Sequence, residues 1–462
     1  MFINYLTFSL VVQINFVLIY SINHCLNYEP QCQCKSSERI ECTNFNNFTK
    51  LNFKLPTNKK MPNLKHYYYM KISPNEPIKF DNALNLDDLN LDMNKFQLIL
   101  NNIDSFELTS NPFLKYTQKT ETPLSVISIN NSSFKFVYRN KEFDWFCDLV
   151  TKDTELNPLF TSFKSLYLGH ASYVNFKNKI CPVVFKNTNL ETLIISNMSL
   201  TNRLEFLPLD KLEINLNSKI RNFHLQSSEI FLDNSLLDKN VFKLLNKLSI
   251  EFSNLTGLSK DVLKPFKFLK SINLWLFNLD EFIINSGLDW LIYVNEDLRL
   301  FYDYEKLDKK FDKMKEIVSR RQVILELSDE RGLYGYPESD FCLFKNFPHS
   351  RLIFPIIKTN RELECTCTVV WLVQFWKYAH RDLRTSSVIK CFNLTTISFD
   401  LMVYNCNFPK RLKSCFNNSI DGLSSKARNI QKSKAFGFKG NNTIPYHSHL
   451  VLFYFYFSYF CK

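Results

Sequence analysis

The chain has 462 residues, enough for two or three compact domains or for one extended array of repeats. A formal net charge of +12 would suit a nucleic-acid partner, but the lysines are dispersed along the chain and the N-terminal sequence indicates another compartment. The chain contains only 8 glycines, which argues against widespread phosphate-binding glycine loops.

The chain begins with an apolar segment. Residues 2–20 are mostly Phe, Leu, Ile and Val, with no Lys or Arg before or among them. This composition predicts a secretory signal peptide over residues 1–22, cleaved between Ser21 and Cys25, with an uncleaved anchor as the alternative. Either way the rest of the chain enters the secretory pathway. We therefore expect a protein that is secreted or lies on the extracellular face of the plasma membrane.

Thirteen cysteines fit that compartment, and ten of them form two groups. In an oxidising lumen their short C-x-C pairs favour disulfides over a zinc site. The sequence leaves the pairing of Cys147, Cys181 and Cys461 open. The two groups are Cys25, Cys32, Cys34 and Cys42, and Cys342, Cys365, Cys367, Cys391, Cys406 and Cys415.

A hydrophobic pattern recurs between the cysteine groups. In its clearest part, four apolar positions of one copy reappear 24 residues later. Counted from Leu245 in the first copy, the four apolar positions are 1, 4, 6 and 11. Positions 4 and 6 share one face of a strand, because side chains alternate along it, and the side chain at position 11 is buried in the segment that returns to the next strand. The corresponding residues are Leu245 and Leu269, Leu248 and Ile272, Ile250 and Leu274, and Leu255 and Leu279.

This pattern resembles the leucine-rich repeat family, whose units read L-x-x-L-x-L-x-x-N-x-L. The resemblance implies an α/β solenoid, a curved array with parallel strands on its concave face, over residues 61–330. The asparagine at position 9, as at Asn94, Asn111 and Asn217, can bond backbone groups of a neighbouring unit. Further units are predicted at Leu64, Tyr67 and Tyr69; Leu86, Leu89 and Leu91; Ile103, Phe106 and Leu108; Leu124, Ile127 and Ile129; Phe163, Leu166 and Leu168; Leu190, Leu193 and Ile195; Leu209, Leu212 and Ile214; and Ile230, Leu232 and Leu237.

Two parts of the array depart from this pattern. Ile127 and Leu166 are 39 residues apart, which is too long for one unit, and the pattern does not allow a strand to be placed between them. Residues 304–320 carry apolar side chains at helical spacing among lysines and carboxylates, which predicts an amphipathic helix. That helix would present either a basic patch for an anionic partner or simply a solvated face. A last strand is predicted at Val323, Leu325 and Leu327.

Both cysteine groups resemble the flanking caps of extracellular members of the family. For the N-terminal cap, residues 25–60, the resemblance implies the pairs Cys25–Cys34 and Cys32–Cys42. This chain departs from the family at Leu26, where a proline is usual, and this weakens the expected pairing of Cys25.

The C-terminal cap, residues 340–415, is indicated by the run C-x-C-x3-W-L-x2-F-W from Cys365 to Trp376. The resemblance places Trp371, Leu372 and Trp376 on one helix that covers the final repeat. It also implies a pair between Cys365 and Cys391. Cys367 would pair with Cys406 or Cys415, and Cys342 with the remaining one.

Residues 416–462 form a polar linker and a short hydrophobic tail, Leu450 to Phe460. Eleven apolar residues are too few for a membrane-spanning helix, which needs about 17–25. The tail suits a lipid-anchor signal and a truncated or mispredicted gene end equally.

No catalytic motif is present: the sequence lacks H-E-x-x-H, G-x-S-x-G and a phosphate-binding glycine motif. We therefore expect a protein that is not an enzyme and needs no metal or cofactor. Binding is the natural use of stacked strands, which present a broad concave surface. The candidates are the outward positions of the clearest repeat pair, Lys247, Ser249, Glu251 and Phe252, beside Asn273, Trp275 and Leu276.

In-register stacking predicts that Trp275 lies beside Glu251 and Leu276 beside Phe252. The expected partner is an extracellular protein, as for receptor or adhesion ectodomains. A structural matrix component that binds anionic glycans or matrix proteins is the alternative. Glycosylation sequons would direct binding toward the later units, and they occur at Asn47, Asn130, Asn131, Asn197, Asn254, Asn393, Asn417 and Asn441.

Overall fold

The structure is a computed structural model. It describes residues 32–36, 39–43, 69–75, 78–81, 96–101, 103–107, 126–130, 135–138, 141–143, 163–169, 182–198, 205–206, 216–227, 229–294, 323–349, 353–359, 362–374 and 395–417. The predicted signal peptide, the predicted helix over 304–320 and the apolar tail lie outside these residues. The chain divides into two compact units, residues 1–405 and 406–462.

A twelve-stranded main sheet dominates the first unit. All its neighbouring strands are parallel except the first two, which are antiparallel. Its strands, in spatial order, are β1 (Cys32–Ser36), β2 (Arg39–Thr43), β3 (Tyr69–Ser73), β5 (Gln97–Asn101), β7 (Val126–Asn130), β10 (Ser165–Gly169), β11 (Thr192–Met198), β12 (Asn222–Ser227), β14 (Lys247–Ser253), β16 (Ser271–Leu276), β17 (Val323–Asp329) and β18 (Ile353–Lys358).

The other strands form two small sheets, and short helical segments connect several strands. β4 (Ile78–Asp81), β6 (Ile103–Glu107), β8 (Lys135–Tyr138) and β9 (Lys141–Phe143) form one sheet; β13 (Ile230–Leu232) and β15 (Leu255–Leu258) form the other. The α-helices are α1 (Leu279–Ser286), α2 (Cys367–Val373), α3 (Thr396–Cys406) and, in the second unit, α4 (Phe408–Asn417). Turns of 3-10 helix cover Pro182–Phe185, Asp289–Tyr293 and Glu338–Phe344. Mostly parallel strands with helices confirm the predicted α/β class.

The 24-residue shift of the clearest repeat pair is confirmed. Leu248 pairs with Ile272 and Ile250 with Leu274 across β14 and β16. All four side chains are buried, as the alternation predicts.

The units at Ile127 and Leu166 are neighbours in the main sheet although they are 39 positions apart in the chain. These two residues pair directly, because β7 and β10 are neighbours in the main sheet. Part of the chain between them, β8 and β9, belongs to the four-stranded sheet instead.

One predicted unit has the wrong register. In β3 the fully buried residues Met70 and Ile72 align with Leu98 and Leu100 of β5, three positions after the predicted Tyr67 and Tyr69, although Tyr69 is buried as well. The residues predicted at 86–91 and at 209–214 lie outside the described ones. Within the main sheet β3 pairs directly with β5, residues 97–101, and β11 pairs directly with β12, residues 222–227.

Two further predicted units are strands of the small sheets. Ile103 and Phe106 belong to β6, and Ile230 and Leu232 to β13. The spacing of leucines predicts which side chains of a strand are buried. It does not predict which strands pair, because pairing depends on residues far away in the chain.

A cluster of phenylalanine rings fills the interior beside β12. Phe242 lies with its ring centroid 4.7 Å from that of Phe223 and 5.7 Å from that of Phe206, and Phe206 is 6.2 Å from Phe185. All four rings are buried. Dense contact among rings of this size accounts for much of the stability of this region.

An asparagine pair connects the segments that precede β11 and β12. Asn217 Nδ2 donates to Asn187 Oδ1 at 3.3 Å, and both residues have left-handed φ angles, of 47° and 54°. The two residues are 30 positions apart, as are the paired residues Leu193 and Phe223. Left-handed backbone is tolerated by asparagine better than by most residues, so both turns can adopt the same conformation.

The helix predicted around Trp371 is present as α2, which follows β18. α2 begins after Thr366, whose Oγ1 accepts a hydrogen bond from Val369 N at 3.3 Å. Trp371 Nε1 donates to Phe344 O at 2.8 Å, and Leu372 is fully buried. Trp376 lies outside the described residues.

Six cysteines within the described residues are disulfide-bonded, namely Cys42, Cys342, Cys365, Cys367, Cys406 and Cys415. Cys32 lies opposite Cys42 in the antiparallel pair of β1 and β2. That register is compatible with the implied disulfide, because Cα atoms of opposite residues are about 4.5–5.5 Å apart. The individual pairings stay predictions.

Candidate functional site

Four neighbouring strands bring polar residues together on the face of the main sheet that is opposite the apolar interior. The register places His224 of β12 beside Ser249 of β14, Ser249 beside Asn273 of β16, and Asn273 beside Glu326 of β17. Because side chains two positions apart share a face, Glu251 also lies on this face. Parallel stacking therefore assembles one polar row from residues more than 100 positions apart.

Glu251 is the centre of this row. Its Oε1 accepts a hydrogen bond from Ser249 Oγ at 2.6 Å and a long one from Asn273 Nδ2 at 3.4 Å. His224 Nδ1 lies 3.8 Å from the same oxygen, a distance that suits electrostatic attraction rather than a direct hydrogen bond. We call these four residues, His224, Ser249, Glu251 and Asn273, the Glu251 cluster.

The cluster is shielded from solvent although it lies away from the apolar interior. Ser249 is fully buried, and Glu251 and Asn273 are 7% and 9% exposed. Burial alone raises the pKa of Glu251, but contact with His224, the hydrogen bond from Ser249 and the nearby charges of His224 and Lys247 outweigh it. The pKa of Glu251 is therefore lowered, and the carboxylate is ionised at neutral pH.

One acceptor of the cluster lacks a donor. Asn273 Oδ1 is buried and has no hydrogen-bond partner in the part of the chain that the structure describes. The contacts of Glu251 with Ser249, Asn273 and His224 all converge on Oε1 rather than Oε2. A buried acceptor without a donor is costly.

An aromatic pair borders the cluster. Phe252 and Trp275 are both half-buried, and their ring centroids are 4.3 Å apart. Phe252 has a left-handed φ of 50° and lies at a bulge, where β14 advances by two residues while β16 advances by one. The bulge turns the Phe252 ring toward Trp275.

The bulge also corrects one prediction. Trp275 does lie beside Glu251, as expected, but Leu276 lies beside Ser253 rather than Phe252. Leu276 is fully buried and cannot contact a partner in this arrangement. Lys247 is half-buried at the start of β14, on the same face as Glu251.

The row continues into the last two strands. Glu326 Oε1 and Lys358 Nζ form an ion pair at 2.7 Å, in which Lys358 is substantially exposed. Charged residues thus occur on three of these strands, Lys247 and Glu251 on β14, Glu326 on β17 and Lys358 on β18.

Sequence reasoning missed His224. The signal was available, since His224 lies between the buried residues Phe223 and Leu225 in a short alternating segment. The repeat pattern predicts units at 209–217 and from Ile230 onward, and neither unit includes the residues of β12.

The Ser249 hydroxyl donates to the Glu251 carboxylate, and His224 Nδ1 approaches the same carboxylate oxygen. Within the described ranges, no group of three His, Cys, Asp or Glu residues could hold a metal ion. The described helices include none with the length and apolar character needed to cross a bilayer.

The predicted sequons are only partly described. Asn254 is half-buried, and its neighbour Thr256 donates through Oγ1 to Ile230 O at 2.9 Å. Asn130, Asn197 and Asn417 lie in β7, β11 and α4. The remaining sequon asparagines, Asn47, Asn131, Asn393 and Asn441, fall outside the described residues, as do Cys25 and Cys391.

Comparison with known proteins adds no relative from which a function could be taken: no family model, no curated protein and no solved structure matches the chain.

Proposed function

We propose that the chain is a secreted or cell-surface protein of the leucine-rich repeat type that binds another extracellular protein and catalyses no reaction. In this proposal the main sheet is the concave face of a curved solenoid with disulfide caps at both ends. The repeat motif and the cap motifs support it by resemblance. So does the direct pairing of successive strands at steps such as 24, 25 and 30 residues, as for Leu248 with Ile272, Phe223 with Leu248, and Leu193 with Phe223.

The observation that carries the proposal is the aromatic pair beside the Glu251 cluster. Large aromatic side chains next to desolvated polar groups are the usual centres of binding energy in protein interfaces. Trp275 and Phe252 lie half-buried on the sheet face with charged residues around them, an arrangement of apolar centre and polar rim.

Binding to cells of the source organism tests the proposal. The full chain, expressed through the secretory pathway of cultured cells, is labelled, multimerised and titrated onto intact cells as wild type and as Trp275→Ala. We expect Trp275→Ala to weaken binding by about thirtyfold, the equivalent of about 2 kcal/mol for a central aromatic contact. The matched control is Phe268→Ala, which removes an aromatic ring that is 54% exposed and precedes β16.

The treatment of the cells distinguishes the partner class. Mild proteolysis of the cell surface should abolish binding, whereas removal of sulfated glycans should leave it intact. Loss of binding only after glycan removal would favour the matrix alternative. Equal binding by wild type and Trp275→Ala would refute this face as the binding surface.

A further inference from the structure

The edge of the main sheet at which β12, β14 and β16 begin is strongly basic. The segments that lead into these strands, residues 217–222, 242–247 and 266–271, contain no Asp or Glu. We propose that this edge binds a carboxylate-rich segment of the partner protein. The inference rests on the proposed function and assigns the charge of one part of the partner. We call the following residues the basic edge: Lys219, Arg221, Lys243, Lys247, Lys267 and Lys270.

Strand pairing gathers cations that are dispersed along the sequence. Asn246 N donates to Arg221 O at 2.6 Å, and Lys270 N donates to Asn246 O at 2.8 Å. Arg221 and Lys270 therefore occupy corresponding positions on strands that are two steps apart, a distance of about 10 Å. Lys247 begins the strand between them.

The turns before β14 and β16 add two further lysines at matching places. Each turn is closed by a backbone hydrogen bond from its fourth residue to its first, and the second residue is Lys243 in one turn and Lys267 in the other. Equivalent turns on neighbouring strands place these two lysines side by side. The closing bonds run from Leu245 N to Phe242 O at 2.9 Å and from Leu269 N to Phe266 O at 3.2 Å.

The basic edge is open to solvent and retains its charge. Five of its six residues are exposed, and the sixth is half-buried. Among the described residues, Arg221, Lys243 and Lys270 take part in no ion pair. Lys219 Nζ donates to Asn189 Oδ1 at 2.8 Å, and this neutral acceptor leaves the lysine charge in place. Neighbouring like charges repel each other, so an anionic partner is attracted here without displacing a carboxylate of the chain itself.

The position of the basic edge favours a segment of the same partner protein. Lys270 directly precedes β16 and lies five residues before Trp275, at most about 17 Å along an extended chain. A standard interface covers about 800 Å² of each protein, a patch roughly 30 Å across, so one partner can cover both places. A sulfated glycan carries its charges along an extended polymer, whereas the basic edge is about 10 Å wide across its strands.

The first test uses a defined probe and the full chain. The probe is a fluorescent hexaglutamate peptide, and its neutral counterpart is hexaglutamine. We expect fluorescence anisotropy at low ionic strength to show saturable binding of hexaglutamate alone, which weakens as salt is added. The double variant Arg221→Gln/Lys270→Gln should bind hexaglutamate about tenfold more weakly, because it removes two exposed charges of the edge. A flat hexaglutamate titration of the wild type would overturn the inference.

The matched control is Lys239→Gln/Lys260→Gln, which removes two exposed lysines that lie outside the basic edge. Both double variants have the same net charge, so equal weakening in the two would mean that overall charge accounts for the binding, and would overturn the inference. Phe268→Ala removes no charge and should bind hexaglutamate as wild type does. Circular dichroism of each variant checks that the fold is retained.

Cells of the source organism, stripped of sulfated glycans, identify the occupant. Charges at the rim of an interface act mainly on the association rate. We expect Arg221→Gln/Lys270→Gln to associate with these cells about threefold more slowly than wild type, with a nearly unchanged dissociation rate. A difference that is present on untreated cells and vanishes after glycan removal would assign the edge to a glycan and overturn the inference.

Trp275→Ala separates this inference from the proposed function. If Trp275→Ala weakens cell binding while the Arg221→Gln/Lys270→Gln variant associates as wild type does, the basic edge is overturned and the proposed binding face is retained. If Trp275→Ala binds cells as wild type does while the charge variant associates more slowly, the basic edge is supported and the proposed binding face is refuted.

Discussion

Asn278 holds the backbone of Leu255 with both ends of its side-chain amide, across 23 residues of sequence. Its Oδ1 accepts from Leu255 N at 3.1 Å, and its Nδ2 donates to Leu255 O at 3.3 Å. The sequence predicts such a bond for asparagine at position 9 of a repeat, and here it is made one position later. This contact ties the turn after β16 to the start of β15.

Asn278→Ala should destabilise the protein. The change removes two hydrogen bonds and leaves part-buried backbone groups of Leu255 without these partners, which costs about 1–3 kcal/mol. The free energy of unfolding from denaturant titration measures the effect. Asn234→Ala, at an exposed turn residue, is the control and should stay within about 0.5 kcal/mol of wild type.

Glu251→Gln should destabilise the protein at neutral pH, and the difference from wild type should narrow in acid. The pKa of Glu251 is lowered in the folded state from an ordinary value of 4.5, so its contribution is present above that value and is lost as the pH falls through the folded pKa. Losing a charged hydrogen-bond acceptor costs about 1.5–3 kcal/mol at neutral pH.

Denaturant titrations of wild type and Glu251→Gln at matched pH values measure this difference, because the groups common to both proteins largely cancel. Glu229→Gln, which removes an exposed carboxylate before β13, is the control. If the difference in unfolding free energy between wild type and Glu251→Gln widened below pH 4.5, the ordinary carboxyl pKa, this would contradict the stabilising role assigned to the ionised Glu251.

Phe242→Ala should cost about 3–5 kcal/mol of unfolding free energy, since it leaves a cavity among Phe206 and Phe223 in the buried interior. Phe268→Ala removes the same atoms from a side chain that is 54% exposed. It should cost much less, and similar losses at both positions would argue against the Phe242 cluster as a packed core.

Phe252 and Trp275 should show a coupling in stability. A double-mutant cycle with Phe252→Leu and Trp275→Leu should give an interaction energy of about 0.5–1.5 kcal/mol, the usual value for a contacting aromatic pair. The cycle is measured by thermal unfolding at fixed pH. Additive effects would mean that the rings do not contact each other in solution.

Part of the fold follows from sequence alone. Residues 248 and 250, and their counterparts 24 positions later, alternate with more polar neighbours, and this alternation predicts correctly which side chains face the interior. The same reasoning places strands at 126–130, 165–169, 192–198 and 323–329. It succeeds there because burial of one strand face leaves a local signal with period 2.

The candidate face is less predictable. Six of the seven candidate residues lie on or beside the polar face, although Ser249, Glu251 and Asn273 are themselves buried. Leu276 faces the interior with Ile272 and Leu274, because alternate side chains of β16 share a face, and the bulge at Phe252 places it beside Ser253. Nothing in the local sequence announces this bulge, since Phe252 is not a residue type that favours a positive φ.

The sequence by itself determined the class of elements in this protein, buried alternating strands repeated along the chain, because that information lies in the order of apolar and polar residues. Only the tertiary structure decided that β11 pairs with β12 and that His224 and Asn273 converge on Glu251. The physical reason is that strand pairing and hydrogen bonding join residues 22 to 30 positions apart, whose mutual distance no local pattern records.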